Sequence, residues 1–367
     1  MSRLRVRAWA AQWTWFAPIL AVAVLSLVWG RTVSPVAAVG VAVLLAVSVL
    51  AAVHHAEVVS QRVGEPFGSL VLAVAVTVIE VALIVSLMIS GGAKTVSLAR
   101  DTVFAAVMIT CNGIVGIALV IGTLRHRVVA FNAEGMGAAL ATIAALATLS
   151  LALPAFTISR PGPTASPGQL GFAAVASLAL YALFVLTQTV RHRDYFLPPE
   201  QAGGAIGAGE HVVRPSPRRT LSSLALLLVA LVAVVGLAKA VSPAIESALA
   251  AAGLPQKVVG VVIALLVLLP ETIAAVRAAR RDRIQISLNL AFGSAMASIG
   301  LTIPAIAMAG IWLRGPLVLG LGPTHLILLA LTVVIATLTV VPGRATLLQG
   351  GVHLFVFAAF LTLAVSP

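Results

Sequence analysis

Apolar runs about 20 residues long, each enough to cross a bilayer, alternate along this chain with short polar breaks. The pattern predicts eleven helical spans, near 14–31, 35–54, 68–91, 102–123, 135–155, 169–190, 221–242, 256–276, 285–312, 323–341 and 346–365. The ninth is long and contains Pro304, where a kink or break is expected. The longest polar stretch, 191–220, is rich in Pro, Gly and Arg and has no apolar period, which predicts a flexible linker. It leaves five spans after it and six before. With the first span set aside, the chain divides into residues 1–34, a first half 35–190, the linker 191–220 and a second half 221–367. Five is odd, so the second half runs upside down relative to the first, a common plan for transporters. The fold class is therefore an all-α polytopic membrane protein: an N-terminal helix plus two inverted five-helix repeats.

Composition agrees. The 367 residues are 60% hydrophobic and only 9% charged, with mean hydropathy +1.12, against about 25% charged in soluble domains. The net charge of +12 does not point to nucleic acid, because the arginines gather in short loops between spans. When loops are assigned alternately to two sides, the side of the N-terminus receives 16 of the 23 basic residues and the other side five. By the positive-inside rule the N-terminus is cytoplasmic and the C-terminus outside, as expected for a bacterial inner membrane. No small-residue cleavage site follows the first apolar run, so it reads as a span and not as a removed signal. The single cysteine, Cys111, excludes an internal disulfide and reads as packing. Trp9, Trp13, Trp15 and Trp29 read as interfacial anchors.

Two glutamates interrupt the apolar runs. Glu80 lies inside LVLAVAVTVIEVALIVSLMIS and Glu271 inside VVGVVIALLVLLPETIAAV. A charge there costs roughly 2.5 kcal/mol or more, so such a residue marks an ion or proton pathway unless it is a protonated or paired structural group. The two occupy equivalent places, each in the second span of its half. Inversion would bring them toward one another near the midplane.

Polar residues repeat around them. Thr77 and Glu80 share a helix face. In the following span of each half, Asn112 falls opposite Ser294 and Gly116 opposite Ser298. Ser287, Ser294, Ser298 and Thr302 form one stripe. Hydroxyl, amide and carboxylate oxygens suit a hard cation. Pro270 removes a backbone donor and frees the Leu266 carbonyl as a further ligand. Gly113, Gly116, Gly293, Ala297 and Gly300 read as close helix packing. His54, Glu57 and Glu65 mark a weaker candidate, a cytoplasmic entrance for protons or cations. Lys239 reads as snorkelling to the surface, and His325 and His353 as structural histidines.

These motifs resemble a known family. HHAEVVSQRVGEPFGSLVLAVAVTVIEVALIVSLMISGG resembles the first core region of the bacterial calcium(sodium)/proton antiporters of the cation/calcium exchanger superfamily. VVGVVIALLVLLPETIAAVRAARRDRIQISLNLAFGSAMASIGLTIP resembles their second. The resemblance implies ten core helices in two inverted repeats plus an N-terminal helix. It also implies that Glu80 and Glu271 are the paired carboxylates binding the cation or the exchanging protons. Many members have Asn three residues before the glutamate; here those places hold Thr77 and Leu268, which leaves Na⁺ or K⁺ exchange open beside Ca²⁺.

The expectation is a secondary antiporter that exports Ca²⁺, with Na⁺ and K⁺ as secondary substrates, against inward proton flow by alternating access. It needs no cofactor, and its partners are membrane lipid and the transported ions. No Gly-rich phosphate loop implies ATP. A proton-coupled carrier of organic solutes would want more aromatic or arginine side chains inside spans. An intramembrane protease would need a Ser–His pair or two aspartates within spans, and none of the predicted spans holds an aspartate.

Overall fold

The computed structural model describes residues 2–64, 67–91, 95–198, 215–255, 257–311 and 317–366. Glu65 and most of the predicted linker, residues 199–214, lie outside them. Among the described residues nine helices are long and apolar enough to span a membrane, and a bent pair makes a tenth if taken as one span. Gln12–Val28 is a shorter apolar helix. The chain is an integral, all-α polytopic membrane protein, with one short strand pair among the described residues.

By contacts the chain falls into two compact units, residues 1–91 with 210–259, and residues 92–209 with 260–367. Each half of the sequence thus contributes to both units. The first unit holds α1 (Ser2–Val28), α2 (Pro35–Val63), α3 (Phe67–Gly91) and α8 (Pro217–Ala251). Prolines at the first positions of α2 and α8 follow Ser34 and Ser216, whose hydroxyls cap the new helices. At Gly236 a Cβ would lie 2.4 Å from Leu25, so its absence is what lets α8 meet α1. His55 Nε2 meets the Thr14 carbonyl at 2.9 Å and ties α2 to α1. The Lys239 ammonium stands over the Trp29 ring, 5.6 Å from the centroid.

The second unit is built round α4 (Leu98–Met108), a π-helical turn (Ile109–Ile114) and α5 (Val115–His126). Together they form the most buried span. Around it lie α6 (Ala133–Ala147), α7 (Pro167–Leu186), α9 (Val258–Val267), α10 (Leu269–Arg280), α11 (Ile284–Ala309), α12 (Pro323–Val340) and α13 (Leu347–Val365). Strands β1 (Val128–Ala130) and β2 (Arg344–Thr346) pair antiparallel, Val128 with Thr346. This pairing joins two loops that the alternation of spans assigned to one side. Arg125 donates to the Arg280 carbonyl and His126 pairs with Asp282 at 2.8 Å, which brings in the α10–α11 loop, also of that side. At the other end Thr164 bridges Val318, and Arg100 Nη1 donates to Gly320 O at 3.1 Å. Those are the loops assigned to the opposite side.

Of the kink or break expected at Pro304, the break does not occur: α11 runs unbroken from Ile284 to Ala309. Gly300 occupies the i−4 position, where a proline ring presses on the backbone. The absence of aspartate from the spans is corrected, because the span Leu98–His126 takes in Asp101. Asp101 stands in the first turn of α4, 7% exposed, paired with Arg100 at 2.7 Å and accepting from Ser97 at 2.9 Å. A buried carboxylate held by a cation and a hydroxyl is tolerable at a span end, which a reading of apolar runs alone trims away.

Candidate functional site

Glu80 falls in the first unit and Glu271 in the second. In the first unit α3 is an uninterrupted apolar helix, and its packing against α2 and α8 encloses one face. Glu80 lies on that face, 5% exposed, with Thr77 one turn before it, 6% exposed, among Ile79, Leu83 and Ile84. The sequence therefore places an ionisable side chain where its neighbours are core residues. His54 and Glu57, the weaker entrance candidates, are half-buried on α2 in the same unit, and the His54 ring lies 5.5 Å from that of His55.

In the second unit the span bearing Glu271 is broken. α9 ends at Val267 and α10 begins at Leu269, with a bend of 54° between them. The cause lies in the sequence. Pro270 has no N–H to give the Leu266 carbonyl, and it sits in the first turn of the new helix, where a missing donor costs nothing. Leu268 turns the corner, and its carbonyl accepts from the Thr272 hydroxyl at 2.7 Å. Glu271 thus falls in the first turn of α10, half-buried, where the positive end of the helix dipole favours a carboxylate.

The predicted polar stripe runs along α11, which packs against α10 through the Ser287 hydroxyl, donating to the Ala275 carbonyl at 2.9 Å. Ser287 and Thr302 are fully buried, Ser298 is 3% exposed and Ser294 is half-buried. The Thr302 hydroxyl has no hydrogen-bond partner among the described residues. The glycines divide. A Cβ on Gly300 would press on Tyr181 at 2.7 Å and one on Gly116 on Leu354 at 2.8 Å, as packing requires. At Gly293, beside Ser294, it would meet nothing within 4 Å.

Asn112 sits in the π turn, fully buried. π turns arise where one residue is inserted into a helix, frequently at functional sites. Its Nδ2 donates to Thr332 Oγ1 at 2.9 Å, and its Oδ1 meets His353 Nδ1 at 3.1 Å. His353, read from the sequence as a lone structural histidine, is therefore Asn112's partner. His325 stacks on Phe104 at 4.8 Å, and Cys111 is buried packing. The structure thus gathers Glu271, Asn112, Ser294 and Ser298 into one unit and places Glu80 with Thr77 in the other. Sequence reasoning missed the helix break, for which Pro270 was the signal, and the π turn, for which there was none.

A model for the sodium/calcium exchanger protein family matches residues 33–190 and 222–366. y4hA of Sinorhizobium fredii (strain NBRC 101917 / NGR234), a candidate ionic transporter, is 46% identical over 370 residues, covering 100% of both chains. The sodium-potassium/proton antiporter ChaA of Escherichia coli (strain K12) is 32% identical over 94% of this chain and 93% of its own. Among solved structures, the H⁺/Ca²⁺ exchanger CAX matches with TM-score 0.71 over 98% of this chain and 88% of its own, at 16% identity. That likeness is one of fold.

Proposed function

Because this chain belongs to the sodium/calcium exchanger protein family, and is a secondary transporter and not an enzyme, we propose that it exchanges a cytoplasmic cation for protons at a site shared by Glu80 and Glu271. One observation carries the reading: each of two units holds one glutamate on a membrane-spanning segment, Glu80 enclosed in an intact apolar helix and Glu271 in the first turn after a helix break. Broken helices at transporter sites supply backbone carbonyls from one half and a helix N-terminus from the other. Here these are the Leu266 carbonyl and the first turn of α10.

The coupling follows from charge. Two carboxylates in a water-poor site must be neutralised by a divalent cation or by protons. Each occupant excludes the other. Movement of α3 and α10 with their carboxylates would then carry cation one way and protons the other. Thr77, Asn112, Ser294 and Ser298 would complete the oxygen shell, with His54, Glu57 and Glu65 on the cytoplasmic approach. The arginine-rich loops set the N-terminus in the cytoplasm and the C-terminus outside. Ca²⁺ is the cation that two carboxylates balance, and the name of the Escherichia coli relative supports Na⁺ and K⁺ as further substrates.

The test is flux in proteoliposomes holding a pH dye. Glu80→Gln and Glu271→Gln should each abolish cation-driven proton movement while the protein remains folded. Near-normal flux in either variant would end the two-carboxylate reading.

A further inference from the structure

We infer that His353 is a positioning residue for the exchange site, one that fixes the Asn112 amide through a directed chain of buried hydrogen bonds. The inference rests on the reading of Asn112 as a group lining that site.

The chain of bonds sets its own direction. The Thr332 hydroxyl donates to the Leu328 carbonyl at 2.7 Å. It must then accept from Asn112 Nδ2 at 2.9 Å. That turns the Asn112 oxygen toward His353, so Nδ1 carries the proton and donates across 3.1 Å. Nε2 of the neutral ring is left to accept from the Thr339 hydroxyl at 3.1 Å. Asn112 and His353 are fully buried, and Thr332 and Thr339 nearly so.

The surroundings show why a histidine stands there. α13 lies on the π turn and α5 through one face: Gly350, His353, Leu354 and Phe357, spaced as one helix stripe. Gly350 meets Val120, Leu354 meets Gly116 and Phe357 meets Gly113. His353 supplies the hydrogen-bonding side chain on that stripe, opposite Asn112. An apolar residue there would leave the amide oxygen without this donor. With His353 in place, one lone pair of Oδ1 is occupied, the amide plane is fixed and the second lone pair keeps a set direction. A relay of protons is not the role, because an amide does not pass a proton from its oxygen to its nitrogen in one step.

The experiment is reconstituted full-length chain, with Ca²⁺, Na⁺ and K⁺ each used as probe. It reads the cation concentration for half-maximal exchange, the maximal rate and the pH profile. His353→Leu should raise the half-maximal concentration about five- to tenfold, the scale of one net hydrogen bond, with maximal rate and pH profile unchanged. His353→Gln, which keeps an N–H donor, should recover most of the affinity. A folded His353→Leu with wild-type half-maximal concentration, or with a shifted pH profile, would overturn the inference. Should His353→Leu not fold, Thr339→Val decides, because it removes only the hydroxyl holding Nε2. A raised half-maximal concentration supports the role, and an unchanged one refutes it. Failure of the two-glutamate reading shows separately, as retained flux in Glu80→Gln or Glu271→Gln.

Discussion

The Ser287 hydroxyl donates to the Ala275 carbonyl across 2.9 Å, and this bond sets the register of α10 against α11. The helices are antiparallel neighbours joined by a tight turn at Asp282, whose φ is 60°. Counting away from the bond at equal rise, Glu271 comes level with Ala291, and the break at Leu268 with Ser294. The polar stripe therefore reaches the height of the helix break. Ser287→Ala should lower stability by about 1 kcal/mol, seen as a lower melting temperature in detergent, and weaken cation affinity while the maximal rate persists.

Gly293 and Gly300 lie two turns apart on α11 and should respond oppositely to alanine. At Gly300 the new methyl would press on Tyr181 at 2.7 Å, an overpacking of about 1–3 kcal/mol. At Gly293 it has open space, and Ala is the better helix former by roughly 1 kcal/mol. Gly300→Ala should melt earlier than the parent and Gly293→Ala no earlier. Equal melting of the two would contradict the packing described.

How much of this was legible in the sequence differs by element. Among the described residues, nine or ten of the eleven predicted spans were legible, because lipid demands long apolar helices and leaves them as visible runs. Their ends were less so: α8 extends to Ala251 and α4 begins at Leu98, taking in Asp101. Polar residues satisfied by neighbours look like loop residues in a linear reading. The glutamates stood out by cost alone. Pro270 and Pro304 look alike in sequence, yet only the first accompanies a break, since the outcome depends on what packs round each turn. Asn112's link to His353 spans 241 residues, a distance no local pattern encodes.

Arg100 and Asp101 form a buried pair at the end of the second unit opposite the β1–β2 strands, with Asp101 7% and Arg100 17% exposed. Removing one partner of such a pair costs more than removing both, because the survivor is left uncompensated. Asp101→Asn alone should lower stability by about 3 kcal/mol. Arg100→Leu combined with Asp101→Asn should recover part of the loss. A thermal-melt double-mutant cycle with no coupling would show the pair to be inert.

The shared site requires the two carboxyls to approach one another, and the two halves, about residues 35–190 and 221–365, to superpose by inversion. Spin labels or crosslinkers on cysteines at positions 80 and 271, in a Cys111→Ser background, measure the first. A separation beyond ~15 Å, half the thickness of the hydrocarbon core, in every state sampled would exclude one cation bridging both.

Ion choice is decided by charge and oxygen count. Ca²⁺ takes six to eight oxygens, usually including more than one carboxylate. Glu80, Glu271, the Leu266 carbonyl, Thr77, Asn112, Ser294 and water could supply them, and two carboxylates balance its charge. A monovalent ion leaves one negative charge, unless one glutamate keeps a proton while the other holds the ion. The same pair of carboxylates can therefore serve either class, with one proton fewer displaced for Na⁺ or K⁺. By the resemblance of the two core regions, asparagine is expected where Thr77 and Leu268 stand, and an amide oxygen fewer in each half would weaken the shell for Ca²⁺ more than for an ion needing fewer ligands. Everted vesicles with a pH dye should release protons on adding Ca²⁺, and also on adding Na⁺ or K⁺ at higher concentration. Proton release with Na⁺ or K⁺, and none with Ca²⁺ between about pH 6 and 9, would remove Ca²⁺ from the site. It would leave one glutamate protonated through the cycle, so that Glu80→Gln and Glu271→Gln would no longer be equivalent in effect.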